Sequence, residues 1–145
     1  MVPCMVCIDV VPDIDEKAIG DRAGGDAVIL TRKIAVAKAD ALLANPVLSA
    51  DLRARGVWLV TGDQVVTDGG ATGRIREKPR DDAEAAAFLG TYARGGPAAT
   101  VGSLCVHDVA TGARAVSTSV ATVGFHTDWS VSPLPEPPAL SPHPH

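Results

Sequence analysis

The sequence predicts an α/β domain with a mixed β-sheet and flanking helices, and three observations lead there. Apolar, β-branched runs of strand length recur at "MVCIDVVPD", "VWLVTGDQVV" and either side of "ATG" in "PAATVGSLCVHDVATGARAVSTSVATVGF". Two longer stretches, "AVILTRKIAVAKADALLANP" and "RDDAEAAAFLGTYARGG", have helical character. Turn chemistry, above all "TDGGATG", joins strand to strand. The order is strand, helix, hairpin, helix, hairpin, as in α/β architectures.

Taken in order, "MVCIDVVPD" reads as a strand ending at Pro12, and "IDEKAIGD" as a short helix or turn with Asp15 and Glu16 near its start. The first long helix carries an apolar stripe of Leu30, Ile34, Ala37 and Ala41, and Asn45-Pro46 stops it. Lys38 borders that stripe, four residues after Ile34 and four before Leu42. "SADLRARG" reads as a loop or weak helical turn. Gly62, inside the next strand, signals a bulge or a close backbone approach. "RIREKP" returns as a short strand stopped by Pro79. Asp81 and Glu84 form a capping-box-like start for the second long helix, which Gly95-Gly96 ends.

At 145 residues the chain has the length of one domain, with 46% hydrophobic and 21% charged residues. Positions 1–126 are expected to form the core, and 127–145 a Pro-rich, disordered tail. A net charge of −4 without a Lys/Arg block argues against bulk nucleic acid as a partner. No apolar run reaches the ~20 residues of a membrane helix, and no basic leader precedes the acids that begin at Asp9, so a cytoplasmic protein is expected. Three cysteines cannot all pair, and Cys4-x-x-Cys7 lacks the second pair of a zinc site, so small buried residues at a strand start are the plainer reading.

Four side chains stand out as candidates for chemistry: Glu16, Lys38, Asp63 and Lys78. Asp63 and Lys78 end two segments joined by a Gly-rich turn, which brings them close if the hairpin pairs. An ionised carboxylate can accept a proton from water or hold a hard cation, and a lysine can neutralise charge developing on phosphate. Two acids with two lysines point to phosphoryl chemistry, yet no GxxxxGK[ST] loop is present. Each residue also has an ordinary reading. Lys38 can be a helix lysine lying along apolar surface, Asp63 a turn former, Lys78 a solvated charge, and Glu16 a first-turn acid.

"DIDEKAI", "IAVAKADALL", "TGDQVV" and "REKPRDDAEAAAFL" occur in this order, and together they resemble the Maf family of nucleoside triphosphate pyrophosphatases over roughly positions 8–126. The resemblance implies an elongated, two-lobed α/β fold of the Maf/ITPase kind with a nucleotide cleft. It implies hydrolysis of a nucleoside triphosphate to the monophosphate and pyrophosphate, in house-cleaning of non-standard or modified nucleotides, with a divalent cation (Mg²⁺, Mn²⁺ or Co²⁺). On that basis Asp63 matches the essential acid that activates water and touches the metal, and Glu16 a second metal-side acid. Lys38 and Lys78 match the phosphate-contacting lysines. Gln64 follows the acid, as in the branch that includes 7-methyl-GTP pyrophosphatases, whereas Thr there marks the thymidine- and uridine-triphosphate branch. "REKP" and "YARGGPAATVGS" are most similar to plant and algal-type members.

The sequence departs from the family pattern at both ends. The "S-x-S-P-R-R" phosphate loop does not occur in it, and a Pro-rich segment stands where the second lobe would continue after Phe125-His126. A Maf-like core shortened at both ends is therefore expected, with exposed strand edges and a homodimer as a consequence. The alternative function is a catalytically impaired Maf-like remnant that binds nucleotide or protein partners.

Overall fold

The structure is a computed structural model and describes residues 9–125. A single 3-10 turn at Glu16–Ala18 precedes helices α1 (Ala27–Ala44) and α2 (Pro46–Ala54). Strands β1 (Trp58–Asp68) and β2 (Arg74–Arg76), helix α3 (Asp82–Ala93), and strands β3 (Ala98–Asp108) and β4 (Arg114–Val123) complete the order. The strands form one sheet in the order β2-β1-β3-β4. The α/β class predicted from sequence is the one observed, and the three described pairings are all antiparallel. The parallel pairing that would make the sheet mixed does not occur among the described residues. The predicted N-terminal strand lies mostly outside them, and residues 9–12 are irregular.

Asp26 starts α1 by accepting from the amides of Val28 at 2.7 Å and Ile29 at 3.2 Å, the ordinary way an N-cap satisfies free donors. The buried line along this helix is Ala27, Leu30, Thr31, Ile34, Ala35, Ala39 and Leu42. This corrects the predicted stripe: Leu30 and Ile34 belong to it, whereas Ala37 and Ala41 are half-buried beside it. At 3.6 residues per turn the covered face is wider than one row, and it follows the sheet beneath.

Asn45 ends α1 and also begins a new helix. Its side chain accepts from Val47 and Leu48 amides, both at 3.1 Å, and Pro46 occupies the first helical position, where it has no hydrogen bond to lose. The segment expected to be a loop or weak turn is thus the body of α2.

Alternation along β1 sends Leu59, Thr61, Val65 and Thr67 toward α1, and β3 contributes Val101, Ser103 and Cys105 to the same face. One cluster joins Leu30 and Ile34 to Val65, Ile75 and Val101. A second packs Ala35 and Ala39 on Cys105, and these small residues let the helix approach closely. There Thr61 donates to the Ala35 carbonyl at 2.6 Å. Trp58, Val60 and Leu104 occupy the other face and are exposed. Gly62 marks a close approach and no bulge, because the β1–β3 register runs unbroken from Trp58↔Asp108 to Asp68↔Ala98. A Cβ at Gly62 would stand 2.9 Å from Leu104 Cδ2.

α3 begins as its sequence predicts, with Asp81 accepting from the Glu84 amide at 2.8 Å. Glu84 reaches back to the Arg80 amide at 2.7 Å, one residue before the position a capping box would use. No residue of α3 is fully buried. Phe88 receives the Arg76 guanidinium 4.4 Å from its ring centre, and Tyr92 stacks on Phe125 with ring centres 4.9 Å apart.

Candidate active site

β2 is only three residues long and pairs with β1 at Val66–Asp68. Past Arg76 the returning chain leaves the sheet, and among the described residues the β1 edge from Trp58 to Val65 has no strand partner on that side. Beside this open edge lies a cavity of about 770 Å³, whose walls come from the 3-10 turn, the chain after β2, and α3. Glu16, Asp63, Gln64, Lys78, Phe88 and Tyr92 are among its lining residues.

Lys38 gathers both candidate acids. Its Nζ stands 2.9 Å from Glu16 Oε1, 3.4 Å from Asp63 Oδ1 and 3.1 Å from the Gly62 carbonyl oxygen. An ammonium has three protons to donate, and three acceptors surround this one. The lysine comes from the edge of the buried face of α1, and its head reaches Glu16 and Asp63, which both line the cavity. Its side chain is 16% exposed and that of Asp63 11%, against 45% for Glu16. The pair from α1 and β1 is thus sheltered, and Glu16 faces solvent.

Asp63 Oδ2 is buried and has no hydrogen-bond partner among the described residues. A buried carboxylate oxygen without a donor is costly, so a water, a cation or a substrate proton seated there would supply the missing partner. Glu16 and Asp63 are also the residues that could hold a cation. Among the described residues no group of three or more His, Cys, Asp or Glu forms a metal cage. Two carboxylates suit a hard divalent ion that takes the rest of its shell from water and phosphate oxygens.

Of the residues predicted from sequence, Glu16, Lys38 and Asp63 come together directly. Lys78 lines the same cavity, but the lysine in contact with Asp63 is Lys38, and Lys78 has no ion pair among the described residues. Hairpin proximity was therefore an incomplete guide, because β2 ends at Arg76, before Lys78 is reached. Gln64 alternates onto the opposite sheet face from Asp63, where its side chain lies beside Gly102. Cys4, Cys7 and His126 lie outside the described residues.

Sequence reasoning missed Arg22, Arg76, Phe88 and Tyr92, which also line the cavity. Arg22 sits in a Gly/Asp-rich break that gives no periodic signal, whereas Arg76 belongs to the quoted "REKP". A second cavity of about 540 Å³ shares Arg22, Arg76, Lys78 and Phe88 and extends to Arg74 and Arg80. On its wall, the Arg80 backbone amide and then the Arg80 guanidinium hold the Glu84 carboxyl below its ordinary value.

The sequence profile of the family described as Maf-like protein matches residues 4–131. The chain belongs to the Maf-like family. No curated protein matches it. Maf-like proteins are in general nucleotide pyrophosphatases, so membership suggests a hydrolase acting on nucleotides. No helix of this Maf-like chain, among the described residues, is long and apolar enough to cross a membrane.

Proposed function

We propose that this Maf-like chain is a nucleoside triphosphate pyrophosphatase that converts a triphosphate and water to the monophosphate and pyrophosphate, with a divalent cation as cofactor. The observation that carries this reading is the buried, unpartnered Asp63 Oδ2 beside a Lys38 that also holds Glu16. Oδ2 accepts the proton of a water whose oxygen attacks the α-phosphorus. The bond from the α-phosphorus to the bridging oxygen breaks, and the electron pair leaves with pyrophosphate. Lys38 orients the Asp63 carboxylate through its contact with Oδ1, and Lys78, which lines the cavity, offsets charge on the departing phosphates. Glu16 and Asp63 would hold the cation, which supplies charge neutralisation at the phosphates and lowers the pKa of a bound water.

The reading is tested by pyrophosphate release from ATP, GTP, CTP, UTP, TTP and 7-methyl-GTP with Mg²⁺, Mn²⁺ or Co²⁺, with Asp63→Asn alongside. Release that disappears in the variant supports the assignment and reports base preference, including any preference associated with Gln64. Folded wild-type protein that releases none overturns it in favour of a binding remnant, as does an Asp63→Asn variant that keeps full activity.

A further inference from the structure

Arg22 lies between the 3-10 turn and α1, and its side chain is 22% exposed. Its Nη2 donates to the Glu16 carbonyl at 2.7 Å. Its Nη1 donates to the Ile19 carbonyl at 2.9 Å and reaches the Lys17 carbonyl at 3.3 Å. Its Nε donates to Glu77 Oε1 at 2.5 Å. One guanidinium therefore gathers three backbone carbonyls of the turn that carries Glu16 and ties them to the residue before Lys78.

Inside the turn the Glu16 carbonyl accepts from the Ile19 amide at 3.2 Å, and Arg22 adds a second donor to it from outside, which ties the turn to the rest of the chain. Glu16 is held at both ends: Arg22 takes its carbonyl, and Lys38 takes its carboxylate. A planar fork with five N–H donors can serve this many acceptors, whereas a lysine offers a single ammonium on a flexible stem. The carboxylate of Glu77 supplies the counter-charge from a segment 55 residues away in sequence.

We infer that Arg22 is a positioning residue, and that the Arg22–Glu77 clasp sets Glu16 relative to Lys78 across the cavity. The inference rests on the reading above, in which both residues serve the reaction. Neither Arg22 nor Glu77 needs to touch the reacting atoms. Their loss acts by letting the turn that presents Glu16 drift from the segment that presents Lys78.

The test uses the full chain with Arg22→Lys, Arg22→Ala, Glu77→Gln and the Arg22→Ala/Glu77→Gln double variant. Melting temperature, kcat, KM and Mn²⁺ affinity by electron paramagnetic resonance are measured on each. Arg22→Lys is expected to fold and to lose about 10- to 100-fold in kcat and in Mn²⁺ affinity, the usual range for a group that orients a ligand, with KM changed much less. Glu77→Gln shifts both in the same direction by less, and the double variant is no worse than Arg22→Ala. Wild-type kcat and Mn²⁺ affinity in Arg22→Lys, or strictly additive losses, overturn the inference. Should Arg22→Ala fail to fold, Arg22→Lys and Glu77→Gln decide. If the wild type releases no pyrophosphate, the enzymatic reading falls separately and Mn²⁺ affinity decides the clasp. A loss in Arg22→Lys then upholds it. No change, or no Mn²⁺ binding by the wild type, overturns it.

Discussion

Lys38 Nζ stands 3.4 Å from Asp63 Oδ1, while the other oxygen of that carboxylate is buried and has no donor among the described residues. The acid is thus held on one side and, among the described residues, unpartnered on the other, an arrangement suited to taking a proton from a positioned water. Helix α1 delivers the lysine and strand β1 the acid, so the pairing depends on how the helix docks on the sheet.

Removing either partner has a different consequence. Asp63→Asn keeps an oxygen for Lys38 but loses the proposed base, so kcat is expected to fall by about 10²- to 10⁴-fold, with a melting temperature near that of the wild type. Lys38→Met leaves Glu16 and Asp63 without their shared cation and is expected to cost about 1–3 kcal/mol of stability as well as activity. Urea titrations beside pyrophosphate-release assays separate the two. Equal stability for Lys38→Met and the wild type would contradict the assigned role of the ammonium.

Gly62→Ala probes the close approach next to the acid. The new methyl would meet Leu104 Cδ2 at 2.9 Å and the Ser103 carbonyl oxygen at 3.3 Å. Leu104 is exposed and can rotate away, but the carbonyl belongs to the paired strand and yields only by a shift of backbone. The expected cost is about 1 kcal/mol, near the low end for overpacking, together with a fall in kcat larger than the stability loss suggests. Thermal melts and kcat measured on the same preparation check it.

Asn45→Ala removes the acceptor for the Val47 and Leu48 amides at the start of α2. A lost N-cap of this kind costs about 1 kcal/mol. Asn45 is exposed and does not line either cavity, so pyrophosphate release is expected to stay at the wild-type level while the urea midpoint falls.

Acid should loosen the start of α3. The Arg80 amide, and then its guanidinium, hold the Glu84 carboxyl below its ordinary value of 4.5. Because the folded value is depressed, the unfolded chain takes up the proton first. The stabilisation is complete above 4.5 and is lost as the pH falls through the lowered folded value. Asp108 has the same sign, held low first by the Thr111 hydroxyl in the β3–β4 turn. Melting temperature followed from about pH 7 to pH 3 should fall less steeply in Glu84→Gln than in the wild type.

Local chemistry made much of this molecule legible in its sequence. The long β-branched runs, the turn at "ATG", the helical run of α1, and the pairing of Asp81 with Glu84 each express a preference that neighbouring residues settle among themselves. α2 was hidden because Asn45-Pro46 carries two meanings. Proline forbids the continuation of one helix and favours the first position of the next, and packing chose between them. The candidate residues could be named from the ordered motifs, but their partners could not. Lys38 meets Glu16 and Asp63 because α1 docks on β1, and the cavity lies open because β2 stops at Arg76. Arg22 reaches Glu77 across 55 residues, with no sequence period to announce it. Secondary structure and residue chemistry were determined by near neighbours along the chain. The site was decided by tertiary structure, because its ion pairs and shared guanidinium depend on distances between elements that exist only once the helix has packed on the sheet.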